Sequence, residues 1–368
     1  MVRYDWLIVG AGLYGCVFAR EMTDAGFKCL VIDRRGHIAG NAHEEEIAGV
    51  RVHRYGPHIF HTSDDEVWQY VNRFVRFNQY VHTPVAVNGE ETYNLPFNMN
   101  TFKQLWGVRT PAQAKAVLNE QTRGYQAEEA RNLEEQALAL VGRDVYEKLV
   151  RGYTEKQWGR ECSDLPAFII RRLPIRFTYD NRYFSDPYQG IPVEGYDVLA
   201  KKLLEGCDVL LNTDYAPLMA QEPEIAEHVM YTGAIDEFFS FCLGAMKYRT
   251  VSFRDEVLDC SNYQGSAVVN YTGRDVPYTR CIEHKHFTAG KQAQTVITYE
   301  YPDEWRPGME PYYPINDEQN QALYEQYAAL ARKQPKVRFG GRLGSYRYYD
   351  MDQVIRAALD AARQELRK

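Results

Sequence analysis

Leu7-Ile8-Val9-Gly10-Ala11-Gly12-Leu13-Tyr14-Gly15 decides the fold: an apolar run, a glycine turn and the start of a helix. A second apolar run, Cys29-Leu30-Val31-Ile32, ends on Asp33. This order of strand, glycine turn, helix, strand and acid suits a dinucleotide. Glycines let the backbone approach a pyrophosphate at a helix N-terminus, and the acid receives the ribose hydroxyls. The spacing predicts a Rossmann-like domain with Gly10, Gly12, Leu13, Gly15 and Asp33 at the cofactor. A tight turn that binds nothing is the alternative, and it gives no reason for strand, helix and acid to fall in register.

The far end of the chain extends the pattern. Val337-Arg338-Phe339-Gly340-Gly341-Arg342 is a strand running into glycines, and Asp350 stands before an amphipathic helix predicted from about 351 to 366. A helix N-terminus there places a partial positive charge against an electron-rich ring. In flavoproteins with a split nucleotide domain, the N-terminal turn holds the adenosine diphosphate and a late helix faces the flavin. Arg342 would then reach the pyrophosphate, and Asp350 can serve as an ordinary N-cap in either case.

Between these ends, periodicity predicts a helix over 64–77, a strand hairpin over 83–95 around Asn88-Gly89, and helices throughout 99–150, with Pro111 in a first turn and Asn132 as a cap. A helix over 196–205 and strands at 208–211 and 228–232 resume the nucleotide-binding pattern. Alternating runs at 251–258, 267–271, 278–283 and 295–301 predict an antiparallel sheet. The expected fold is α/β. It comprises a Rossmann-like FAD-binding domain assembled from 1–80, 191–245 and 312–368, a helical insert over 98–162 with a mobile substrate loop, and an antiparallel sheet domain from 81–97, 163–190 and 246–311.

Composition narrows the classes. A chain of 368 residues exceeds one compact core, and a formal net charge of -7 without a long basic run argues against nucleic-acid binding. The longest apolar stretch, Leu7 to Ala19, is too short to span a bilayer and contains the glycine turn, so neither a membrane helix nor a signal peptide is expected. Seven cysteines are scattered without a CxxC pair. Reduced thiols in a cytoplasmic protein and no metal site are the expectation.

Four longer motifs are more specific: Tyr55-Gly56-Pro57-His58-Ile59-Phe60-His61-Thr62; Gly152-Tyr153-Thr154-Glu155-Lys156-Gln157-Trp158-Gly159; Asp275-Val276-Pro277-Tyr278-Thr279-Arg280 with Glu283-His284-Lys285; and Gly341-Arg342-Leu343-Gly344-Ser345-Tyr346-Arg347-Tyr348 with Asp350-Met351-Asp352. With Leu165-Pro166-Ala167 and Asn181 to Phe184, they resemble the bacterial UDP-galactopyranose mutases over nearly the whole chain. The resemblance implies a homodimeric enzyme that uses FAD without net redox change to interconvert UDP-galactose, in its pyranose form, and UDP-galactofuranose. In that account the reduced flavin N5 displaces UDP from the anomeric carbon, the sugar opens as a flavin iminium, and reclosure through another hydroxyl precedes the return of UDP.

The same resemblance assigns residues. Arg172 and Arg280 would meet the diphosphate, with phenols from Tyr183, Tyr313 and Tyr348. Tyr153 would stack on the uracil and Trp158 would close over the substrate, the glycines at Gly152 and Gly159 letting the segment swing as a lid. Asn270, Arg249 and His82 join the substrate-binding set, and Arg34, Asn41, Met351 and Tyr348 the cofactor-binding set. His58 and His61 would lie by the isoalloxazine, where His61 could tune N5; strand alternation puts His58 and Phe60 on one face and His61 on the other. Structural roles for either histidine stay open. Glu300 is a further candidate near the phosphate-binding tyrosines. Two positions depart from the family pattern: Ala39 precedes Gly40 where many members have paired glycines, and His82 stands where many have asparagine. A mutase for UDP-N-acetylgalactosamine, a flavin amine oxidase and a non-catalytic nucleotide-binding protein are the competing readings.

Overall fold

Leu7, Ile8, Leu30, Val31 and Ile32 are almost wholly buried because their strands are central in a sheet covered on both faces. The computed structural model describes residues 3–170, 175–306 and 308–367. Five parallel strands run in the order Val337–Phe339, Ala226–Tyr231, Tyr4–Val9, Cys29–Ile32, Asp208–Leu210. On one face pack the helices Leu13–Asp24 and Met351–Leu366. The late helix buries Val354, Ile355, Ala358, Leu359 and Ala362, the spacing of a single helical stripe. Ile355 and Leu359 contribute roughly 1.5–3 kcal/mol each on burial. Tyr215, Leu218 and Phe238 cover the other face. The first and last segments of the chain thus build one core, as the split-domain reading expects.

A second sheet of seven strands runs Tyr313–Pro314, Tyr248–Leu258, Thr295–Glu304, Arg280–Glu283, Val268–Tyr271, Val85–Asn88, Glu91–Asn94. All its junctions are antiparallel except one: Val85–Asn88 joins Val268–Tyr271 in parallel. The expected all-antiparallel sheet is therefore mixed, because the hairpin comes from a distant segment and docks on the edge in the same direction.

The helical stretch is also less regular than its periodicity. Helices cover Met99–Trp106, Pro111–Gln121 and Leu133–Val145, and Tyr146–Arg151 winds as a wider π turn into the helix Gly152–Trp158. Asn132 accepts from the Glu135 amide at 2.9 Å as the expected cap. The helix predicted over 64–77 stops at Asn72; Val75 is buried and Phe77 bridges to Pro192 from irregular backbone. Tertiary packing overrides propensity there.

Candidate active site

Two contiguous cavities, of about 560 and 640 Å³, occupy the space between the parallel sheet, the mixed sheet and the helical part. Asn41, His58, Arg342, Tyr349 and Met351 line both and form the waist between them.

The smaller cavity is built by the glycine turn. Gly10 has φ +108°, and a Cβ there would lie 2.1 Å from Thr232 Oγ1. At Gly15 it would lie 2.0 Å from the Gly10 carbonyl, so the helix can start this close to the strand only without a side chain. Gly12 meets nothing closer than Gly40 Cα, leaving open backbone for a ligand. Asp33, 9% exposed, accepts from the Ala11 amide (2.8 Å) and the Arg35 amide (2.9 Å), so it also fixes the turn. Leu13, Arg34 and Asn41 line the same cavity. Arg34 and Arg35 share Glu310 at 3.3 and 2.6 Å.

At the waist, Arg342 donates to the Tyr312 carbonyl (2.9 Å), and its Nε is buried without a hydrogen-bond partner among the described residues. Its guanidinium lies 5.4 Å from the ring centres of both Tyr313 and Tyr348, which stack at 5.6 Å. His58 donates from Nδ1 to the Gly56 carbonyl (2.9 Å), since a carbonyl can only accept, and its amide donates to His53 Nδ1 (3.1 Å). Burial, then His53 and the nearby arginines, push the His58 imidazole down to about 3. It is neutral with Nε2 unprotonated. Asp350 precedes the helix Met351–Leu366, and burial followed by Asp352 raises its carboxyl.

The larger cavity is delivered by the mixed sheet and the helix Gly152–Trp158. Asn270, Arg280 and Glu300 stand side by side across three strands. Burial opposes the charge on Arg280, but Glu300 overcomes it and holds the guanidinium charged. Tyr153 and Trp158 line the cavity from their helix, which is clamped to the sheet. Lys156 Nζ donates to the carbonyls of Tyr271 (2.8 Å), Tyr278 (2.9 Å) and Val276 (3.3 Å). Burial pushes Lys156 down to about 8. His61 Nδ1 lies 2.7 Å from Asp186, and its ring lies flat on Phe184 at 3.6 Å. Burial would raise Asp186, yet hydrogen bonds from Ser63 and His61 hold it below the usual carboxylate range. Burial pushes His82 down to about 3, helped by Arg280 and His61, so it too is neutral.

Most residues singled out in the sequence converge here. His61, His82, Tyr153, Trp158, Tyr183, Asn270, Arg280, Tyr313, Tyr348 and Asp350 line the larger cavity, and Arg172 lies outside the described residues. Three expectations change. Arg249 is 7% exposed, does not line either cavity, and donates to the Gln157 carbonyl (3.0 Å), holding the helix rather than facing a ligand. His58 and His61 face the same cavity, because the strand begins at Phe60 and Pro57–Ile59 is irregular, so alternation does not apply. Gly152 and Gly159 have fixed duties in place of hinge freedom. A Cβ on Gly152 would lie 2.3 Å from the Thr272 carbonyl, and Gly159, at φ +66°, caps the helix by donating to Glu155 (2.8 Å).

Sequence reasoning missed Gln157, whose buried Oε1 lines the larger cavity without a partner among the described residues. Its place inside the Gly152–Gly159 motif was the available signal. It also missed Thr213–Pro217, which wall the smaller cavity because Asp208–Leu210 is the edge strand, a consequence of topology with no local signature.

The fold and cleft define a dinucleotide-binding protein with a second, charged ligand chamber opening from the cofactor site. A Rossmann-like family model matches residues 8–74, and the model described as UDP-galactopyranose mutase matches residues 148–348. A probable UDP-galactopyranose mutase of Klebsiella pneumoniae is 40% identical over 97% of this chain and 93% of its own length. A dTDP-fucopyranose mutase of Escherichia coli is 36% identical over 97% of each chain. A crystal structure of reduced UDP-galactopyranose mutase superposes with a TM-score of 0.77 at 13% identity, covering 100% of this chain and 94% of that one. The chain belongs to the UDP-galactopyranose mutase family.

The residues present fit FAD, the cofactor of this family. The Gly12–Gly40 backbone leaves a cradle, the buried Arg342 Nε awaits an acceptor, and a helix N-terminus meets the waist at Met351.

Proposed function

We propose that this chain interconverts UDP-galactopyranose and UDP-galactofuranose with reduced FAD in the cleft. The observation that carries this reading is the charged Arg280, in its cross-strand row with Asn270 and Glu300, inside a chamber that shares its wall with the dinucleotide cavity. Gly10, Gly12, Leu13, Gly15, Asp33, Arg34 and Asn41 would hold the adenosine diphosphate half of FAD. His58, Arg342 and Met351 would surround its ring. Bound there in the reduced state, FAD supplies the electron-rich centre for exchange at the anomeric carbon.

The protein's own residues do the rest. Arg280 binds the diphosphate through charge-assisted hydrogen bonds and stabilises it as it departs, with Tyr313 and Tyr348 beside it. Tyr153 offers a face to the base, and the open Gln157 acceptor suits an imide N–H. His61, oriented by Asp186, and neutral His82 border the sugar end. The division into a split FAD-binding domain, a helical part and a sheet part belongs to the same proposal, with Tyr313–Pro314 counted in the sheet. Seven unbridged cysteines support a cytoplasmic location, and the family resemblance supports a homodimer.

The 36% identical dTDP-fucopyranose mutase favours a second reading, a thymidine-linked 6-deoxy sugar. Uracil and thymine present the same imide to Gln157, so that contact does not discriminate. Anaerobic assays of the reduced holoenzyme with UDP-galactofuranose, its N-acetylated analogue and dTDP-fucofuranose test the choice. The first is expected to give the highest kcat/KM, and preference for either of the others would replace it.

A further inference from the structure

The strands Cys29–Ile32 and Asp208–Leu210 pair in parallel with Leu30 opposite Asp208, which sets Cys29 beside Cys207 one step earlier. Neighbouring strands lie about 4.8 Å apart, within the Cα separation that a disulfide spans. Both side chains turn to the face covered by the helix Leu13–Asp24, where Cys29 Sγ donates to the Phe27 (3.8 Å) and Ala19 (4.0 Å) carbonyls. Their surroundings differ. Cys29 is 1% exposed, whereas Cys207 is half-buried at the rim. Thr23 Oγ1 lies 3.2 Å from Cys207 Sγ. Arg20 closes the same turn by donating to the Glu205 carbonyl (2.6 Å), and its buried Nε has no partner among the described residues. Asp208 is the carboxylate that acts on Cys207 and Asp5 the one that acts on Cys29, and Asp24 takes one end of the Arg20 guanidinium.

We propose that Cys29 and Cys207 are a peroxide-oxidisable dithiol, Cys207 being the attacking sulfur and Cys29 the resolving one. The neighbouring Cys29 thiol lowers Cys207 and is itself raised by it; Thr23 and Arg20 add to the lowering against burial. A partly exposed thiolate among donors and a cation is the setting of a reactive cysteine. In the first step the Cys207 thiolate attacks hydrogen peroxide. An S–O bond forms, the O–O bond breaks, hydroxide leaves, and Cys207 becomes a sulfenic acid. The Cys29 sulfur then attacks Cys207. The S–S bond forms, the S–O bond breaks, and the departing hydroxide takes the Cys29 proton as water. Two thiols lose two electrons, and one peroxide becomes two waters. The bond would tie the edge strand, held only by its one neighbour in the sheet, to the strand Cys29–Ile32 that leads into Asp33. That edge strand leads into Thr213–Pro217 at the cofactor cavity. A reversible bond of this kind is compatible with a reducing compartment.

The test is a hydrogen peroxide titration of the native holoprotein at neutral pH, followed by alkylation, digestion and peptide mass mapping. A Cys29–Cys207 disulfide is expected to form several-fold faster than any oxidation of the exposed Cys242, and dithiothreitol should reverse it. In Cys29→Ser, and equally in Cys29→Ala, dimedone should trap Cys207 as a sulfenic acid. In Cys207→Ser, Cys29 should stay a thiol. Oxidation at Cys242 ahead of Cys207, or a bond from Cys207 to the buried Cys16, would overturn the assignment; the wild-type measurement decides it even if a variant folds poorly.

Discussion

Arg280 and Glu300 face each other on neighbouring strands, and both Nε (3.0 Å) and Nη2 (2.8 Å) of the guanidinium reach the same carboxylate oxygen. Glu300 is 1% exposed, so the pair was removed from water during folding. Two of five N–H donors are used, and the rest stay available to a phosphate. Arg280→Ala is expected to lower kcat/KM ten- to about a hundredfold, since a charge-assisted contact contributes roughly 1.5–3 kcal/mol. FAD content should stay normal. Glu300→Gln removes the charge that offsets a buried cation. Breaking such pairs costs about 3–5 kcal/mol because the remaining charge is left buried, so this variant and Arg280→Gln should both melt earlier than the parent. Steady-state kinetics, flavin absorbance and thermal melts check all three.

Acid should destabilise the protein in a defined window. His58 and His82 lie near 3, against an ordinary value of 6.5. Between those values the unfolded chain binds protons that the folded chain does not, so stability rises with pH there and falls on acidification from about 6.5 downward. Every tenfold gap in proton affinity between the folded and unfolded chain corresponds to about 1.4 kcal/mol. Urea midpoints measured from pH 7.5 to 4.5 should decline steadily, and His58→Gln with His82→Asn should flatten the slope. An unchanged slope in the double variant would place the acid sensitivity elsewhere.

Ala39 adopts φ +67° while 1% exposed, a left-handed conformation that glycine takes freely. The strain costs roughly 1–2 kcal/mol. Ala39→Gly relieves it but loosens the unfolded chain and loses a buried methyl, together about 1–2 kcal/mol. Denaturation should show a net effect within about 1 kcal/mol of zero in either direction, with FAD retained. A clear loss would mean that the methyl packs against something the cofactor loop needs.

Lys156 ties the helix bearing Tyr153 and Trp158 to the turn before Arg280 through three carbonyls. Lys156→Met leaves those acceptors unpaired in a half-buried site, at about 1–3 kcal/mol for an unsatisfied group. KM should rise more than kcat falls, because the base and diphosphate contacts lose their common mount. Stopped-flow binding of UDP would separate this from a general loss of folding.

The sequence made the cofactor end legible for a physical reason. Gly10, Gly15 and Asp33 act through backbone proximity, which fixes their spacing, and Asp350 to Leu366 carries an unbroken helical stripe. The second chamber is different. Arg280 meets Asn270 and Glu300 only through strand register, and Thr213–Pro217 reach the cofactor cavity only through strand order. Gly152 reads as a hinge in sequence because the Thr272 carbonyl that requires it is distant in the chain. Arg249 resembles a ligand arginine until its Gln157 partner is seen.

The central claim is that reduced cofactor in this cleft drives a pyranose–furanose exchange on a nucleotide sugar. The most direct measurement incubates anaerobic, dithionite-reduced holoenzyme with UDP-galactofuranose and separates the products. Formation of UDP-galactopyranose by the reduced enzyme, fading on air oxidation and returning on re-reduction, is the expected result. Equal conversion by the oxidised enzyme, or no conversion by fully reduced, FAD-loaded protein, would contradict it.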